Sequence, residues 1–267
     1  MGILNCTPDS FSDGGLHDVP EVALEAGLAM LRDGADVLDV GGESTRPGSL
    51  PVSVAVQIER ICPVLEKLRQ STDAPISVDT RLPEVAAAAL SAGADIVNDV
   101  SGLREPGWGP VLRNRPVPVI VMHMQGTPET MQKEPSYPKG VVGTVRDFFV
   151  ERLQALEHLG VSRDRVLLDP GIGFGKTGED NLKLLRDLGR FTDLGRPIFV
   201  GLSRKRFIGR VAEREIVDRD VATVAANAAA VFAGAHVLRV HNVPYTRDLV
   251  SVLVAVEQGR PPASGTE

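Results

Sequence analysis

Polar residues follow eight short apolar runs in the sequence, and their types indicate a ligand-binding pocket. They are Asn5, Asp39, Asp79, Asn98, His123, Asp169, Arg239 and His241, with Ser203 and Lys205 just beyond the seventh run. Carboxylates accept hydrogen bonds from amino and ring N–H groups, an amide pairs with an amide edge, and lysine donates to a carbonyl or a ring nitrogen. Together they could bind a flat heterocycle. The alternative is that strand ends are simply polar and that some of these charges pair with each other.

Arg239 and His241 point to an anionic group on the ligand. They are two positions apart in a predicted strand, so both side chains would lie on the same face. A guanidinium beside an imidazole is suited to an oxyanion such as phosphate. The net charge is −6, from 29 Lys plus Arg against 35 Asp plus Glu, which argues against a nucleic-acid partner. A small anion remains compatible with this charge because a few local cations can bind it.

The glycine-rich segment 169–178 is similar to two phosphate-binding motifs but fulfils neither. A P-loop requires glycine where Pro170 stands. Residues 173–178 have the GxGxxG spacing, but no clear strand-end acid follows about 20 residues later, which disfavours a dinucleotide site. We expect a tight loop that lets the backbone approach a ligand, with Asp169 at its root.

Ser203 and His123 also have alternative interpretations. Lys205 stands where a serine-hydrolase nucleophile elbow has its second glycine, so a serine hydrolase has little support. His123 lies between Met122 and Met124, but no second ligand occurs at strand or helix spacing. We therefore interpret His123 as a buried histidine or a wall of the pocket rather than as a metal ligand.

A repeated phrase indicates how these side chains are positioned. Residues 34–40, 93–99 and 234–240 each begin with Gly-Ala, follow an Ala/Leu-rich helical stretch and continue into a short apolar strand. The glycine is typical of a helix C-cap in the left-handed conformation. Short apolar strands with little alternation are typical of a parallel sheet that is buried on both faces.

The same patterns predict the order of the elements. Strands are predicted at 2–5, 37–40, 76–79, 96–99, 119–123, 166–169, 198–201 and 237–241. Helices are predicted at 20–33, 52–70, 83–92, 104–114, 145–159, 181–188, 218–232 and 246–258. Eight strand–helix units favour an α/β fold of the (β/α)8 TIM-barrel type over a doubly wound open sheet. The polar residues would then meet at one mouth, beside the long connections 7–18, 41–50 and 124–139.

Composition and length predict one domain. No linker or composition break divides residues 1–267, and we expect an ordered core over about 1–258 and a short polar C-terminal tail. Cys6 and Cys62 are 56 positions apart without zinc-site or disulfide-scaffold spacing, so both are expected to be reduced thiols. We find no signal peptide, and the apolar stretch 221–235 is too short to span a bilayer. We therefore expect a cytoplasmic protein with no membrane partner.

Several ordered segments strongly resemble the dihydropteroate synthase family, a group of pterin-binding TIM barrels. They are GILNCTPDSFSDGG at 2–15, DVGGESTRPG at 39–48, ISVDT at 76–80, ND at 98–99, MHMQG at 122–126, LDPGIGFGK at 168–176, SRK at 203–205 and RVH at 239–241. The match extends from the first residue to about residue 248. The resemblance implies a homodimeric (β/α)8 transferase of folate biosynthesis. Such an enzyme condenses (7,8-dihydropterin-6-yl)methyl diphosphate with 4-aminobenzoate, with Mg2+ assisting, and is inhibited by sulfonamides.

The resemblance also implies a role for individual residues. Asp79, Asn98, Asp169 and Lys205 would hold the pterin, with Asp39 supporting it at the base of the pocket. Asn5 would bind Mg2+ and, with Arg239 and His241, the diphosphate. The 4-aminobenzoate site would be formed by Phe11, Thr45, Arg46, Pro47, Ile172 and Ser203. Lys205, Arg46, Asp79 and Asp169 are the candidate catalytic residues.

Three positions depart from the family pattern, and two other functions are alternatives. Cys6 replaces the usual Val, Ile172 a frequent Phe, and Asn242 the Asp that commonly follows Arg-Val-His; the last change removes a charge beside His241. A methyltetrahydrofolate:corrinoid methyltransferase would need neither the Arg-Val-His segment nor the Ser-Thr-Arg-Pro-Gly loop. A non-catalytic pterin-binding homologue would keep the pocket and lose the loops.

Overall fold

The computed structural model describes residues 1–7, 19–45 and 48–259, and its strands form a closed barrel. The strands are β1 (Gly2–Asn5), β2 (Leu38–Gly41), β3 (Ile76–Asp79), β4 (Ile96–Asp99), β5 (Val119–Met122), β6 (Val166–Asp169), β7 (Phe199–Gly201) and β8 (Val237–Arg239). Strands β1 to β6 pair in parallel in sequence order, and β7 pairs with β8 in the same way. Single bridges, Leu168 to Ile198 and Gly2 to Val240, join the two sheets at both edges. The predicted (β/α)8 barrel is confirmed.

Nine helices in the described part of the chain surround the barrel. They are α1 (Val19–Arg32), α2 (Val54–Ser71), α3 (Pro83–Ser91), α4 (Trp108–Asn114), α5 (Val141–His158), α6 (Gly178–Arg186), α7 (Arg206–Ala212), α8 (Asp220–Phe232) and α9 (Val243–Gln258). Helix α7 was not predicted, because its seven residues are too few to show a helical period. Helix α4 begins four residues later than predicted, after Gly107, whose φ is +104°. Trp108 is the first residue of this helix, and its side chain is buried.

Apolar stripes on α2 and α5 face the barrel. On α2, Ile61, Leu65 and Leu68 are fully buried, whereas Ile58, at the start of the stripe, is only partly buried. The α5 stripe, Val145, Phe149, Leu153 and Leu156, is buried throughout. Each such side chain contributes about 1.5–3 kcal/mol through removal of apolar surface from water. These stripes hold the helices that frame the strands.

The repeated glycines end helices as the sequence predicts. The φ angles of Gly34, Gly93 and Gly234 are +95°, +112° and +99°. After each of them, the next amide donates back to the last helical turn, as in the 2.9 Å bond from Ala35 N to Met30 O. This Schellman arrangement turns the chain sharply into β2, β4 and β8. The repeat therefore marks three of the eight points where a helix returns to the barrel.

Two further features concern membrane-spanning helices and the cysteine thiols. In the described ranges, no helix combines the length and the apolar character needed to cross a membrane. Cys6 and Cys62 are free thiols. Burial raises the pKa of Cys6 to about 12, so this thiol is inert at neutral pH. The predicted C-terminal tail lies outside the described residues from position 260 onward.

Candidate active site

Three neighbouring strands place polar side chains at two depths of the barrel. The register pairs Asp79 of β3 with Asn98 of β4, so the two lie at the same level. Asp39 of β2 pairs with Ser77, two residues earlier on β3. Asp39, Asp79 and Asn98 are all buried. Asp39 therefore lies deeper in the barrel than the other two, and its role at the base of a pterin pocket stays a prediction.

Arg239, at the end of β8, joins the two carboxylates. Its Nε donates to Asp39 Oδ2 at 2.6 Å, and its Nη2 donates to Asp79 Oδ2 at 2.7 Å. Asn98 Nδ2 also donates to Asp39 Oδ2, at 3.1 Å. Ion pairs of this kind are strong when they are desolvated, but breaking one leaves a buried charge without a partner.

Each carboxylate in this network keeps one oxygen without a hydrogen-bond partner. Asp39 Oδ1 and Asp79 Oδ1 are buried and unsatisfied. Burial raises the pKa of Asp79 above its ordinary value, and the guanidinium of Arg239 opposes that rise. Buried acceptors without a donor are costly in a folded protein. These two oxygens are therefore suited to a ligand that brings N–H donors into the barrel.

Asp169 and Lys205 form a second part of the site on β6 and after β7. Asp169 Oδ1 accepts a 2.7 Å hydrogen bond from the amide of Gly171. Lys205 Nζ donates to the carbonyl oxygen of Ile172 and lies 4.3 Å from the centre of the Phe174 ring. Burial raises the pKa of Asp169 and lowers that of Lys205 to about 8. The glycine loop thus approaches the site through its backbone, as predicted.

The end of β8 is shorter than the sequence pattern predicts. The sequence pattern predicts a strand to His241, but β8 ends at Arg239, Val240 forms a single bridge to Gly2, and α9 begins at Val243. His241 lies beyond the strand, where its Nδ1 is 2.9 Å from Ser203 Oγ and its amide donates to the same oxygen at 3.2 Å. Strand β8 is thus shorter than predicted, and a shared face for Arg239 and His241 stays a prediction. Their roles toward a diphosphate stay predictions.

Asn242, which replaces the Asp common in the family at this position, has a structural role. Its Oδ1 accepts from Tyr245 N at 3.1 Å and caps α9. Its Nδ2 donates to Asp220 Oδ2 at 3.0 Å. The same Asp220 carboxylate pairs with Arg204, with an Nε to Oδ1 distance of 2.7 Å. The amide therefore donates to a carboxylate that an aspartate would repel.

The remaining predicted residues divide into described and undescribed positions. Asn5 ends β1 and is partly buried, Thr45 is partly buried, and Ile172 is buried in the glycine loop. Phe11, Arg46 and Pro47 lie outside the described residues. In the ranges that are described, no three His, Cys, Asp or Glu side chains are grouped as for a metal ion.

One residue near the site was missed as a contributor. Lys176 Nζ is buried behind the glycine loop, 3.0 Å from His123 Nδ1 and 2.9 Å from the carbonyl oxygen of Phe174. In the sequence, Lys176 is the last residue of the motif at 168–176, and this position at the end of a glycine-rich loop is the available signal. His123 is buried, as predicted.

A closed parallel barrel with acids, an amide and cations gathered at its strand ends defines a class of small-molecule-binding enzyme. The profile described as pterin binding enzyme matches residues 1–241, and the chain belongs to that class. Within the class, it belongs to the dihydropteroate synthase family. It is 43% identical over 258 residues to the dihydropteroate synthase of Synechocystis, covering 96% of this chain and 89% of that protein. The Escherichia coli K12 enzyme is 42% identical over 255 residues, covering 96% and 90%.

A solved structure of similar chain length supports the same assignment. The dihydropteroate synthase of Xanthomonas albilineans with 4-aminobenzoic acid superimposes with a TM-score of 0.91 at 47% identity. The superposition covers 96% of this chain and 92% of that one. Fold and sequence therefore agree over nearly the whole chain.

Proposed function

We propose that this chain condenses (7,8-dihydropterin-6-yl)methyl diphosphate with 4-aminobenzoate and releases 7,8-dihydropteroate and diphosphate. The observation that carries the proposal is the pair of unsatisfied carboxylate oxygens, Asp39 Oδ1 and Asp79 Oδ1, beside the cations of the same mouth. A pterin carries amino and ring N–H donors on one edge and a carbonyl and ring nitrogens on others. This edge pattern complements the acids, the amide and the lysine gathered here.

The proposed binding mode uses both parts of the site. Asp79 and Asn98 lie at one level and would contact the donor and amide edges of the pterin, above Asp39. Asp169 would accept from another ring donor, and Lys205 would donate to the carbonyl or to a ring nitrogen. Lys205 would leave the Ile172 carbonyl oxygen to do so.

The chemistry requires charge stabilisation and alignment and does not require a covalent enzyme intermediate. The bond from carbon to the diphosphate oxygen breaks with its electron pair on the diphosphate. The electron-rich pterin then stabilises the cation that remains, and Asp79 and Asp169 favour that charge through their hydrogen bonds. The arylamine nitrogen forms the new bond to carbon and then releases a proton. Holding the amine in line is therefore the main task of the 4-aminobenzoate site.

The diphosphate end of the proposed site contains Asn5, Arg239 and His241. The Asn5 side chain makes no hydrogen bond among the described residues, and one amide oxygen completed by diphosphate oxygens and water suits Mg2+. When bound, Mg2+ would neutralise charge that develops on the leaving diphosphate. Arg239 would stabilise the same charge from within its carboxylate network, and His241 would act from its position on Ser203.

The 4-aminobenzoate site is proposed at the mouth, between the second loop and the glycine loop. Ile172 and Ser203 are described and lie next to Lys205 and His241 respectively, whereas Thr45 precedes Arg46 and Pro47. We place Phe11 in this site on the strength of the family resemblance. A solved relative, the dihydropteroate synthase of Yersinia pestis, is described with a sulfonamide drug. Sulfonamides are accordingly proposed as competitors of 4-aminobenzoate for this chain.

The assay that tests the function combines purified protein, Mg2+, the dihydropterin diphosphate and radiolabelled 4-aminobenzoate. We expect labelled dihydropteroate and one diphosphate per product. Pterin binding without labelled product would contradict the proposal in favour of a non-catalytic pterin-binding protein. Methyl transfer from methyltetrahydrofolate to a corrinoid would favour the methyltransferase alternative.

Lys205 predicts a pH dependence for use of the pterin. Burial lowers its pKa to about 8, so the ammonium loses its proton and charge as the pH rises through that value. The kcat/KM for the dihydropterin diphosphate should therefore decrease above about pH 8. In Lys205→Arg, whose guanidinium stays protonated, this alkaline decrease should move beyond pH 9.5 or vanish, even if overall activity is lower. A decrease that is unchanged in Lys205→Arg would assign it to another group.

We further propose that the protein works in the cytoplasm as a homodimer. Helix α8 packs against both α7 and α9, and this region exposes several large apolar side chains. They are Val211, Val221, Phe232, Val252 and Val256 on the helices and Val217 between α7 and α8. Large apolar side chains exposed on neighbouring helices are a feature of protein–protein interfaces, which supports the proposed dimer.

Substitution of Phe232 tests this interface. The Phe232 side chain is 77% exposed, and a buried carboxylate in a dimer contact is costly, so Phe232→Glu should shift the protein toward the monomer in light-scattering chromatography. Leu50→Glu is the matched control, because Leu50 is 75% exposed in a loop before α2. It should leave the oligomeric state unchanged. A monomeric parent protein would contradict the homodimer.

A further inference from the structure

Lys176 is a buried amine without an ion pair. Its side chain is 2% exposed. Its Nζ donates to the carbonyl oxygens of Phe174 at 2.9 Å and His123 at 3.2 Å, and lies 3.0 Å from His123 Nδ1. None of the ion pairs in the described part of the chain includes Lys176. A buried amine in such surroundings is held by hydrogen bonds to loop atoms alone.

These contacts join the connection after β5 to the glycine loop after β6. His123 is the first residue after β5, and Phe174 lies within the glycine loop. Burial lowers the pKa of His123 to about 3, so its ring is neutral and Nδ1 can accept from Nζ. The ring is also fixed by an edge contact to Phe148, with centroids 5.0 Å apart. Lys176 thus links the glycine loop to His123, whose ring is held by Phe148.

The front of the same loop holds Lys205. The Ile172 carbonyl oxygen accepts from Lys205 Nζ, and the Phe174 ring lies 4.3 Å from that nitrogen. A Cβ on Gly173 would be 2.8 Å from Lys205 Cδ, so loop and side chain are in close contact. Phe174 therefore contacts Lys176 through its carbonyl oxygen and Lys205 through its ring. A shift of the loop would move Lys205 with it.

Asp169 lies within the electrostatic range of both lysines. Burial raises its pKa, and the positive charges of Lys205 and Lys176 oppose that rise. The amide of Gly171, in the same loop, donates to Asp169 Oδ1 at 2.7 Å. The loop that Lys176 fastens therefore also orients the carboxylate at its root.

We propose that Lys176 is a positioning residue for pterin binding, which fastens the glycine loop to His123 so that Lys205 and Asp169 keep their binding geometry. This inference rests on the proposed function. It assigns to Lys176 an effect on one substrate, because the contacts of the loop converge on the pterin-binding residues.

The test compares Lys176→Met with Lys183→Met. Methionine keeps an unbranched stem but removes the charge and the donors. Lys183 lies on the surface of α6 and pairs with Glu179 at 2.7 Å. In Lys176→Met, the Kd and KM for the dihydropterin diphosphate should increase about tenfold or more, as when an orienting hydrogen bond is lost. The KM for 4-aminobenzoate should stay within about twofold. Lys183→Met should match the parent in all three.

His123 supplies the second pair of variants and a rescue. His123→Leu removes the Nδ1 acceptor and should raise the pterin Kd as Lys176→Met does. His123→Asn places an amide oxygen near the position of Nδ1 and should restore the Kd to within about threefold of the parent. If Lys176→Met does not fold, this pair decides the question by the same criteria. If His123 had a purely structural role, both variants would have a lower melting temperature, and their pterin Kd values would not differ.

Two results would overturn the inference: a pterin Kd in Lys176→Met within about twofold of the parent, or equal increases in both KM values. Calorimetry with the dihydropterin diphosphate keeps this test separate from the proposed function. If the parent binds the pterin but forms no dihydropteroate, the proposed function fails. The Kd comparison among the variants still decides the role of Lys176.

Discussion

Replacing Arg239 with methionine should lower the free energy of unfolding by about 3–5 kcal/mol and abolish measurable product formation. The guanidinium is the partner of both Asp39 and Asp79, at 2.6 and 2.7 Å. Without it, two buried carboxylates would face each other with no cation between them. Urea unfolding followed by circular dichroism measures the stability, and the labelled-product assay measures the activity.

A compensated variant separates the two effects of this substitution. Combining Arg239→Met with Asp39→Asn and Asp79→Asn removes the charges together, so much of the stability should return while activity stays absent. Lys67→Met is the matched control for loss of an ion pair, because the side chains of Lys67 and Glu21 are 39% and 62% exposed. That control should change the free energy of unfolding by less than about 1 kcal/mol. Equal stability of Arg239→Met and the parent would contradict the central role of the network.

The stability deficit of Arg239→Met should also depend on pH. Burial already raises the pKa of Asp79, and loss of Arg239 removes the charge that opposes the rise. A carboxyl whose pKa is higher in the folded state is stabilising below its unfolded value, and the stability is lost as the pH rises through the folded pKa. The deficit should therefore be smaller at pH 5 than at pH 8.

Replacing Gly171 with alanine should have the second largest effect. The φ of Gly171 is +64°, and a Cβ there would lie 1.9 Å from the carbonyl oxygen of His123. The left-handed conformation and the backbone clash together should cost about 2–5 kcal/mol of unfolding free energy. Displacement of the loop should also raise the pterin Kd by about tenfold or more, since Gly171 donates to Asp169.

Gly178→Ala is the matched control for this prediction. Gly178 begins α6, and a Cβ there would meet no atom within 4 Å. Its stability and its pterin Kd should match those of the parent or improve slightly, because alanine restricts the unfolded chain. If Gly171→Ala behaved like Gly178→Ala, the close approach of the loop to His123 would not be needed for pterin binding.

The sequence predicts the barrel well because its signals are local. Most strand residues are apolar and buried, and three strands follow a glycine whose positive φ ends a helix. The ends of elements are predicted less well, since they depend on tertiary contacts. The apolar and polar pattern predicts β8 as far as His241, but the strand ends at Arg239, and His241 bonds to Ser203 through its amide and its ring. Helix α7 is too short to show a period.

The partners inside the site could not be predicted in the same way. The sequence predicts which polar residues lie at the mouth, because strand ends of a parallel barrel converge. It does not predict that Arg239 bonds Asp79, 160 positions away, because no local pattern links the two. The contact of Lys176 with His123, 53 positions earlier, is another case that the sequence of the glycine-rich segment does not predict.

The two single bridges that close the barrel give the site a further property. Lys205, Arg239 and His241 all belong to the two-stranded unit of β7 and β8, whereas Asp39, Asp79, Asn98 and Asp169 belong to the six-stranded sheet. The cations of the site therefore come from the two-stranded sheet and the acids from the six-stranded sheet. The ion pairs of Arg239 with Asp39 and Asp79 link the two sheets. A bound substrate that contacts both the cations and the acids would add a second link between the two sheets. Substrate affinity and resistance of the barrel to local opening would then rise together.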